Sequence, residues 1–510
     1  MKRKSLLTLM MSLMVVAASA DVAINETNFP DGNFRNWLNS QSYGSDGLLT
    51  DAEIDRMTNI SVAYRNILSL QGIEFFKALM QLDCQGNQLT SLDVSKNTAL
   101  TRLTCNNNQF TSLDVSGCMA LGTLTCSSNQ LASLDVSKNT SLTTLYCNDN
   151  QLTSLDISNN TLLTDLDCGN NMLASLDVSR NTVLQYLGCY NNRLTTLDVS
   201  KNIALKTLSC GSNQLTGLDA SENTVLTRLA CNKNQLTSLD VSGCGDLAWL
   251  SCNNNQLATL DVSKNTTLQY LYCEDNKLAS LDISKNTMLR ALSCSSNQLS
   301  SLDVSESTAL AELYCYSNRL TSLKFPSNTA LIRLNCYQNQ IKGDAMDALV
   351  ECLPENSLGT MQIIHNEDEG NIMTITQVAT ATAKGWTPYY YDGSNWQIYA
   401  GSEPAVLKCA TPMIAYSNGK LVLKCTTEDV KYACNLAFEA DESLSLPSKV
   451  KISINATKDG YEPSDTLTQE IDTRQLLGKV GDVNGDGEVS MPDAMFIVNR
   501  ILNGKFPDEE

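Results

Sequence analysis

The 510 residues carry 55 acidic against 36 basic side chains, a formal net charge of −19, which argues against nucleic acid and anionic membrane surfaces as partners. A single histidine, His365, excludes histidine-dependent triads and metal sites built on two or more histidines, and no nucleotide-binding or zinc motif is present. The 19 cysteines would ordinarily spell a disulfide framework in a secreted chain, so their placement decides how they are read.

Residues 1–20 read as a cleaved secretory signal: Met1 to Lys4 is basic, Leu6 to Ala17 is mostly apolar, and Ala18, Ser19 and Ala20 are small. The apolar core is short for a membrane span, and no later run of about 18 apolar residues exists. A secreted or cell-surface location without a membrane span is therefore expected. Residues 21–78 read as an N-terminal cap and entry repeat, with Phe34, Trp37 and Leu38 on one helical stripe. Residues 45–54 resemble the remnant of an EF-hand loop with too few oxygen ligands left for calcium. Met57, Ile60, Val62, Ile67, Leu70 and Ile73 then anticipate the inward pattern of the repeats that begin at Leu79.

From 79 to 341 a cysteine recurs every 21 residues, from Cys84, Cys105 and Cys126 through Cys336, thirteen times in all. Each sits in one phrase, typified by Leu100-Thr-Arg-Leu103-Thr-Cys105-Asn-Asn-Asn108-Gln-Phe110-Thr-Ser-Leu113-Asp114-Val115-Ser116. The pattern resembles that of leucine-rich repeat proteins, with cysteine in place of one leucine. The resemblance implies an α/β repeat solenoid with a parallel sheet. Alternation around Leu103 and Cys105 predicts a short strand with both side chains inward. Twenty-one residues leave no room for a full return helix, so the convex side is expected to be extended or 3₁₀.

The asparagine at the ninth position, from Asn87 to Asn339, is expected to satisfy turn backbone from inside the coil. The cysteine column is expected to be buried thiol, because in-register neighbours stand at strand spacing, about 4.8 Å, too far for a disulfide. Cys118 and Cys244 each replace a turn asparagine, and Cys409, Cys425 and Cys434 leave a bridge open. A second column, Asp93 through Asp303, either accepts backbone N–H groups in turns or is bridged by cations. The Ser and Asn at fixed offsets after each favour the turns.

Outward strand positions, the third, fifth and seventh of the phrase, are the variable ones. They hold Tyr146, Tyr186, Tyr190, Trp249, Tyr270, Tyr272, Tyr314, Tyr316 and Tyr337, with Arg228, Glu274, Glu312 and Arg333 among them. Aromatic residues supply area and a polar tip at low entropy cost, which marks a candidate ligand face for a protein or glycan. The competing explanation is that aromatics simply suit strands. Asp165 and Asp167 share a strand face at roughly 7 Å, a glycosidase-compatible separation, but an open sheet offers no cleft.

Residues 342–402 read as a C-terminal cap of alternating helical and extended segments: helical over 343–353 and 374–384, extended over 361–365 and 386–391. With the Asn-Gln-Leu-Thr-Ser-Leu-Asp-Val-Ser repeats, this resembles the secreted internalin-like proteins of gut anaerobes such as Bacteroides and Prevotella. Residues 403–475 alternate as a small β-sandwich and resemble bacterial immunoglobulin-like spacers. Residues 476–510 hold a calcium loop. Asp482, Asn484, Asp486 and Asp493 would give side-chain oxygens, Glu488 its carbonyl, Ser490 a hydroxyl or bridging water, and Gly487 the sharp turn. Aspartate at its last position and no helix before it make the module resemble half of a dockerin, which implies a cohesin-like partner. A full dockerin has two such segments and this sequence shows one.

The expected function is non-enzymatic recognition on the strand face, with calcium as cofactor. The alternative is a scaffold component docking through its C-terminal module, and a weaker third reading is a glycan-degrading accessory enzyme.

Overall fold

The computed structural model describes residues 21–403 apart from 326–329, 356–357 and 366–368. Beyond them it describes the strands between 407 and 472 with residues 411 and 463–466. The signal segment 1–20 and the calcium loop lie outside the described residues. The chain divides into two compact units, residues 1–402 and 403–510.

The first unit is a solenoid of about 13 turns with a 21-residue period, as the repeat implies. Each coil contributes a three-residue strand of the form x-Leu-x, such as Arg102–Thr104, in parallel register with its neighbours. The central leucine of each strand and the following cysteine point inward and are buried throughout the array. Three further apolar side chains per coil, mostly leucines and including the first leucine of each phrase such as Leu100, and a fourth that is mostly valine or isoleucine complete one continuous core. In the coil of Cys105 the others are Phe110, Leu113 and Val115. Fully burying each such side chain contributes roughly 1.5 to 3 kcal/mol, which is why so short a strand suffices.

The thiols in the array are free and buried, and burial raises their pKa values, that of Cys126 to about 12. Cys352 is also free, half-buried outside the array. A bridge among Cys409, Cys425 and Cys434 would involve side chains outside the described residues.

Two asparagine columns stitch coil to coil. Asn108 donates from Nδ2 to the carbonyls of Cys84 and Cys105, at 3.0 and 3.2 Å, and accepts the Leu89 amide at 3.0 Å. A second column, Asn97 to Asn286, is fully buried on the return side. There Asn181 donates to the carbonyls of Ile157 and Asn160 at 3.1 and 2.9 Å. At Cys118 the thiol takes over this role, reaching the Val94 carbonyl at 3.6 Å. The eighth position of each coil is left-handed even without glycine, with φ near 53° at Asn107, Lys233 and Gln338.

Between 79 and 341 the return side is built of turns, with no helix among the described residues. Each aspartate from Asp93 to Asp303 accepts the amide of the serine two residues on, at 2.9 Å, so the turn reading of that column holds. Those serine amides and hydroxyls hold the Asp93 carboxyl below the usual carboxylate range. Gly217–Asp219 and Ser238–Asp240 add a small second parallel pair on this side.

Both ends are closed by carboxylates. At the start, Asp31 caps the helix Gly32–Asn39 through the Phe34 amide and also takes the Leu68 amide, at 2.9 and 2.7 Å. Phe34, Trp37 and Leu38 are buried as the stripe predicts, and strand Asn59–Ser61 pairs with Gln81–Asp83 as an entry repeat. At the other end, the turn amides of Gln338 and Asn339 stand where those of earlier coils donate to a carbonyl of the next coil, as Ser317 does to that of Tyr337. Here the Glu369 carboxylate takes that place, accepting from Gln338, Asn339 and His365 at 2.6, 3.1 and 3.0 Å.

The cap at 342–402 does more than close the array. Its helices Asp344–Cys352 and Ile375–Ala383 alternate with strands Gly359–Ile364 and Trp386–Tyr391, which continue the same parallel sheet before Trp396–Ile398 turns back antiparallel. No register joins this last strand to Asn59–Ser61, so the sheet is an open ladder. In the second unit, Lys431–Phe438, Lys449–Thr457 and Leu467–Asp472 form an antiparallel sheet. Met413–Ser417 pairs antiparallel with Lys420–Lys424, and Leu407–Lys408 parallel with Tyr461–Glu462.

Candidate functional site

Each strand presents two outward side chains, and the residue after its cysteine presents a third. In-register pairing therefore lines these positions up as three columns about 4.8 Å per step. All the aromatic candidates on this face are half-buried. They gather in three clusters.

The first joins Tyr146, Asp165, Asp167, Tyr186 and Tyr190. Tyr146 lies beside Asp167 and Asp165 beside Tyr186 in register, and the Tyr186 hydroxyl reaches Asp167 Oδ2 at 3.2 Å. Asp167 Oδ1 accepts the Gly169 amide at 3.0 Å. Two glycines make room: a Cβ at Gly188 would stand 2.9 Å from both Asp167 and the Tyr186 hydroxyl, and one at Gly169 2.5 Å from the Tyr190 ring. Burial, with Asp149 nearby, lifts the Asp167 carboxyl above the usual carboxylate range despite its two hydrogen bonds. Burial and the Asp167 charge raise Tyr186 and Tyr190 in turn. Asp165 accepts the Thr164 hydroxyl at 2.7 Å.

The second cluster holds Arg228, Trp249, Tyr270, Tyr272 and Glu274. The Arg228 guanidinium lies 3.9 Å from the Trp249 ring centre, and Trp249 meets Tyr272 at 5.9 Å. Burial pushes the Glu274 acid upward, and its Oε2 is buried without a hydrogen-bond partner.

The third begins at Glu312 and Tyr314, whose hydroxyl donates to Glu312 at 2.8 Å, while Arg333 donates to that hydroxyl at 3.0 Å and pairs with Glu312 at 3.3 Å. Beside it Tyr316 and Tyr337 stack at 4.5 Å and 7°. The stack continues through His365 at 5.1 Å to Tyr391 at 4.9 Å, with Trp396 packed across Tyr337 and Tyr391. Sequence reasoning does not place His365, Tyr391 and Trp396 on this face. The alternation around Met361 and Ile363 marks the strand, but the register shift between Gln362 and Ile364 that aims His365 leaves no trace in the sequence.

Asp482, Asn484, Asp486, Glu488, Ser490 and Asp493 lie outside the described residues. Among the described residues no helix is long and apolar enough to cross a membrane.

Fold and face together define the class: a leucine-rich repeat solenoid whose neighbours among solved structures are internalin-like. The functional domain of InlJ from Listeria monocytogenes, which includes a cysteine ladder, is 28% identical with a TM-score of 0.57, covering 89% of this chain and 99% of that one. An internalin (inlF) from Listeria monocytogenes is 22% identical with a TM-score of 0.50, over 74% of this chain and 98% of its own. YopM, a leucine-rich effector protein from Yersinia pestis, is 24% identical with a TM-score of 0.50, over 62% and 86%. The last two likenesses show the fold alone. No family profile matches the chain, and no curated protein matches it.

Proposed function

We propose that this chain is a secreted or surface-displayed recognition protein that binds a protein or glycan ligand on the strand face of its solenoid, without catalysis. The observation that carries the reading is that every tyrosine and tryptophan between residues 79 and 341 stands at an outward strand position, half-buried on one face, over inward positions that scarcely change. Likeness to internalin-like structures supports it. Residues 482–493 are proposed to hold one calcium ion, which orders the C-terminal module.

Pull-down from membrane and culture extracts tests the reading. Replacing Tyr270, Tyr272, Tyr314 and Tyr316 together by alanine should abolish partner capture while the chain stays folded by circular dichroism. If capture survives that variant and is lost on truncation after Gln475, the scaffold reading with a cohesin-like partner replaces it. Calcium is tested separately by calorimetry on the full chain. Wild type should bind with Kd of roughly 10⁻⁶ to 10⁻³ M. Undiminished heat in both Asp482→Ala and Asp493→Ala would reject the site.

A further inference from the structure

The three clusters differ in what the chain itself lays against their rings. At Trp249 it is the guanidinium of Arg228. At Tyr314 the guanidinium of Arg333 bonds both the phenol oxygen and the Glu312 carboxylate. The same phenol–carboxylate pair recurs at Tyr186 and Asp167, with Tyr146, Tyr190, Asp165 and Asp149 around it. There, among the described residues, no lysine or arginine pairs with any of the three carboxylates, and none of the three rings stacks on another aromatic ring.

We propose that this first cluster docks an arginine side chain of a basic polypeptide partner, with the rings of Tyr146, Tyr186 and Tyr190 against the guanidinium plane and Asp165 and Asp167 taking its charge. The proposal rests on the reading of the strand face as a recognition surface and names the chemistry of one subsite. Guanidinium is planar and weakly hydrated, so it stacks on aromatic faces and pairs with carboxylates in one step. Partial burial of Asp167 lowers the local dielectric and strengthens that pairing. A hard metal ion fits poorly: it wants about six to eight oxygens around it, whereas rings occupy much of this surface. Among the described residues no group of three acidic, histidine or cysteine side chains is arranged to hold one. A neutral sugar would leave the carboxylates uncompensated.

The probe is a fluorescein-labelled peptide of three arginines spaced by glycines, titrated by fluorescence anisotropy against the full chain, with its citrulline counterpart as control. Binding should saturate at one peptide per chain, weaken with salt, and fall about tenfold or more for the citrulline peptide and for the Asp165→Asn/Asp167→Asn double variant. Tyr186→Phe, which keeps the ring, should retain most binding, and Tyr186→Leu should lose it. Since the whole chain is acidic, Asp219→Asn/Asp240→Asn on the return side must leave binding unchanged. Equal weakening in that pair, wild-type binding in the first pair, or equal binding of the citrulline peptide overturns the proposal. Circular dichroism melting confirms that each variant is folded. Peptide binding reports on this subsite and partner capture by the tyrosine variant on the broader reading, so either can fail alone.

Discussion

The first and last aromatic clusters of the strand face use the same residue types to opposite ends. In Tyr316, Tyr337, His365 and Tyr391 the rings lie face to face, so each gives π-surface to a neighbour. Among the described residues the rings of Tyr146, Tyr186 and Tyr190 stack on no other ring; the Tyr186 hydroxyl meets Asp167, and Tyr190 lies over Gly169. The contrast teaches that aromatic content alone does not mark a binding face. What matters is whether the ring faces are already committed.

Four measurements can break or sharpen this contrast. The largest effect is expected at Glu369, whose carboxylate closes the last coil under the stack. Glu369→Ala should cost about 3 kcal/mol in urea unfolding, since charge-assisted bonds to backbone amides are lost together. An effect near zero would mean that the stacked end needs no closure. Next, Tyr337→Ala should cost about 2 kcal/mol, as it loses ring contacts to Tyr316, His365 and Trp396. Tyr190→Ala should cost less than about 1 kcal/mol. Equal losses would erase the distinction between the clusters.

The thiols beneath both clusters should behave alike. Cys189 and Cys315 are fully buried with raised pKa values, so a thiol reagent should label them only in denaturant. Cys189→Ser should cost about 1 to 3 kcal/mol, by burying a hydroxyl where a thiol packs as a small hydrophobe.

The smallest effect concerns pH. Asp167 has a folded-state pKa above its unfolded one, so its ionisation opposes folding. The cost is absent below the unfolded carboxylate range and sets in as pH rises through the folded value. Asp167→Asn should therefore melt higher than wild type at neutral pH, by roughly 1 °C, and the gap should close below the carboxylate range. A gap independent of pH would assign the effect to packing instead.

The period, the inward columns and the aspartate turns were legible because each is a local rule repeated in register, and repetition turns a weak signal at Leu103 or Asp114 into a strong one. The second asparagine column was equally present in the sequence, in Asn97 and Asn139 at fixed offset. Reading it required noticing that Cys118 and Cys244 substitute there for a donor to the carbonyls of the preceding coil. The left-handed eighth position was hidden because residues as different as Lys233 and Asn254 occupy it. The continuation of the sheet past Ile341 was hidden too. Helices replace turns on the return side, so the 21-residue beat disappears while Met361 still pairs with Leu334. The stack at His365 depends on a register shift, and that is a property of the assembled sheet alone.

The open ladder also has a consequence for length. Tyr190 and Tyr337 stand seven coils apart, about 34 Å along the axis at about 4.8 Å per step. Most interior coils bond their neighbours through the same two asparagine positions, so excising 21 residues in phase rejoins closely matching surfaces, whereas losing a single residue would turn each later leucine away from the core. An insertion or deletion of 21 residues in phase adds or removes one whole coil. The distance between the two outer clusters can thus change in fixed increments, a vernier whose jaws keep their shape while their separation is reset.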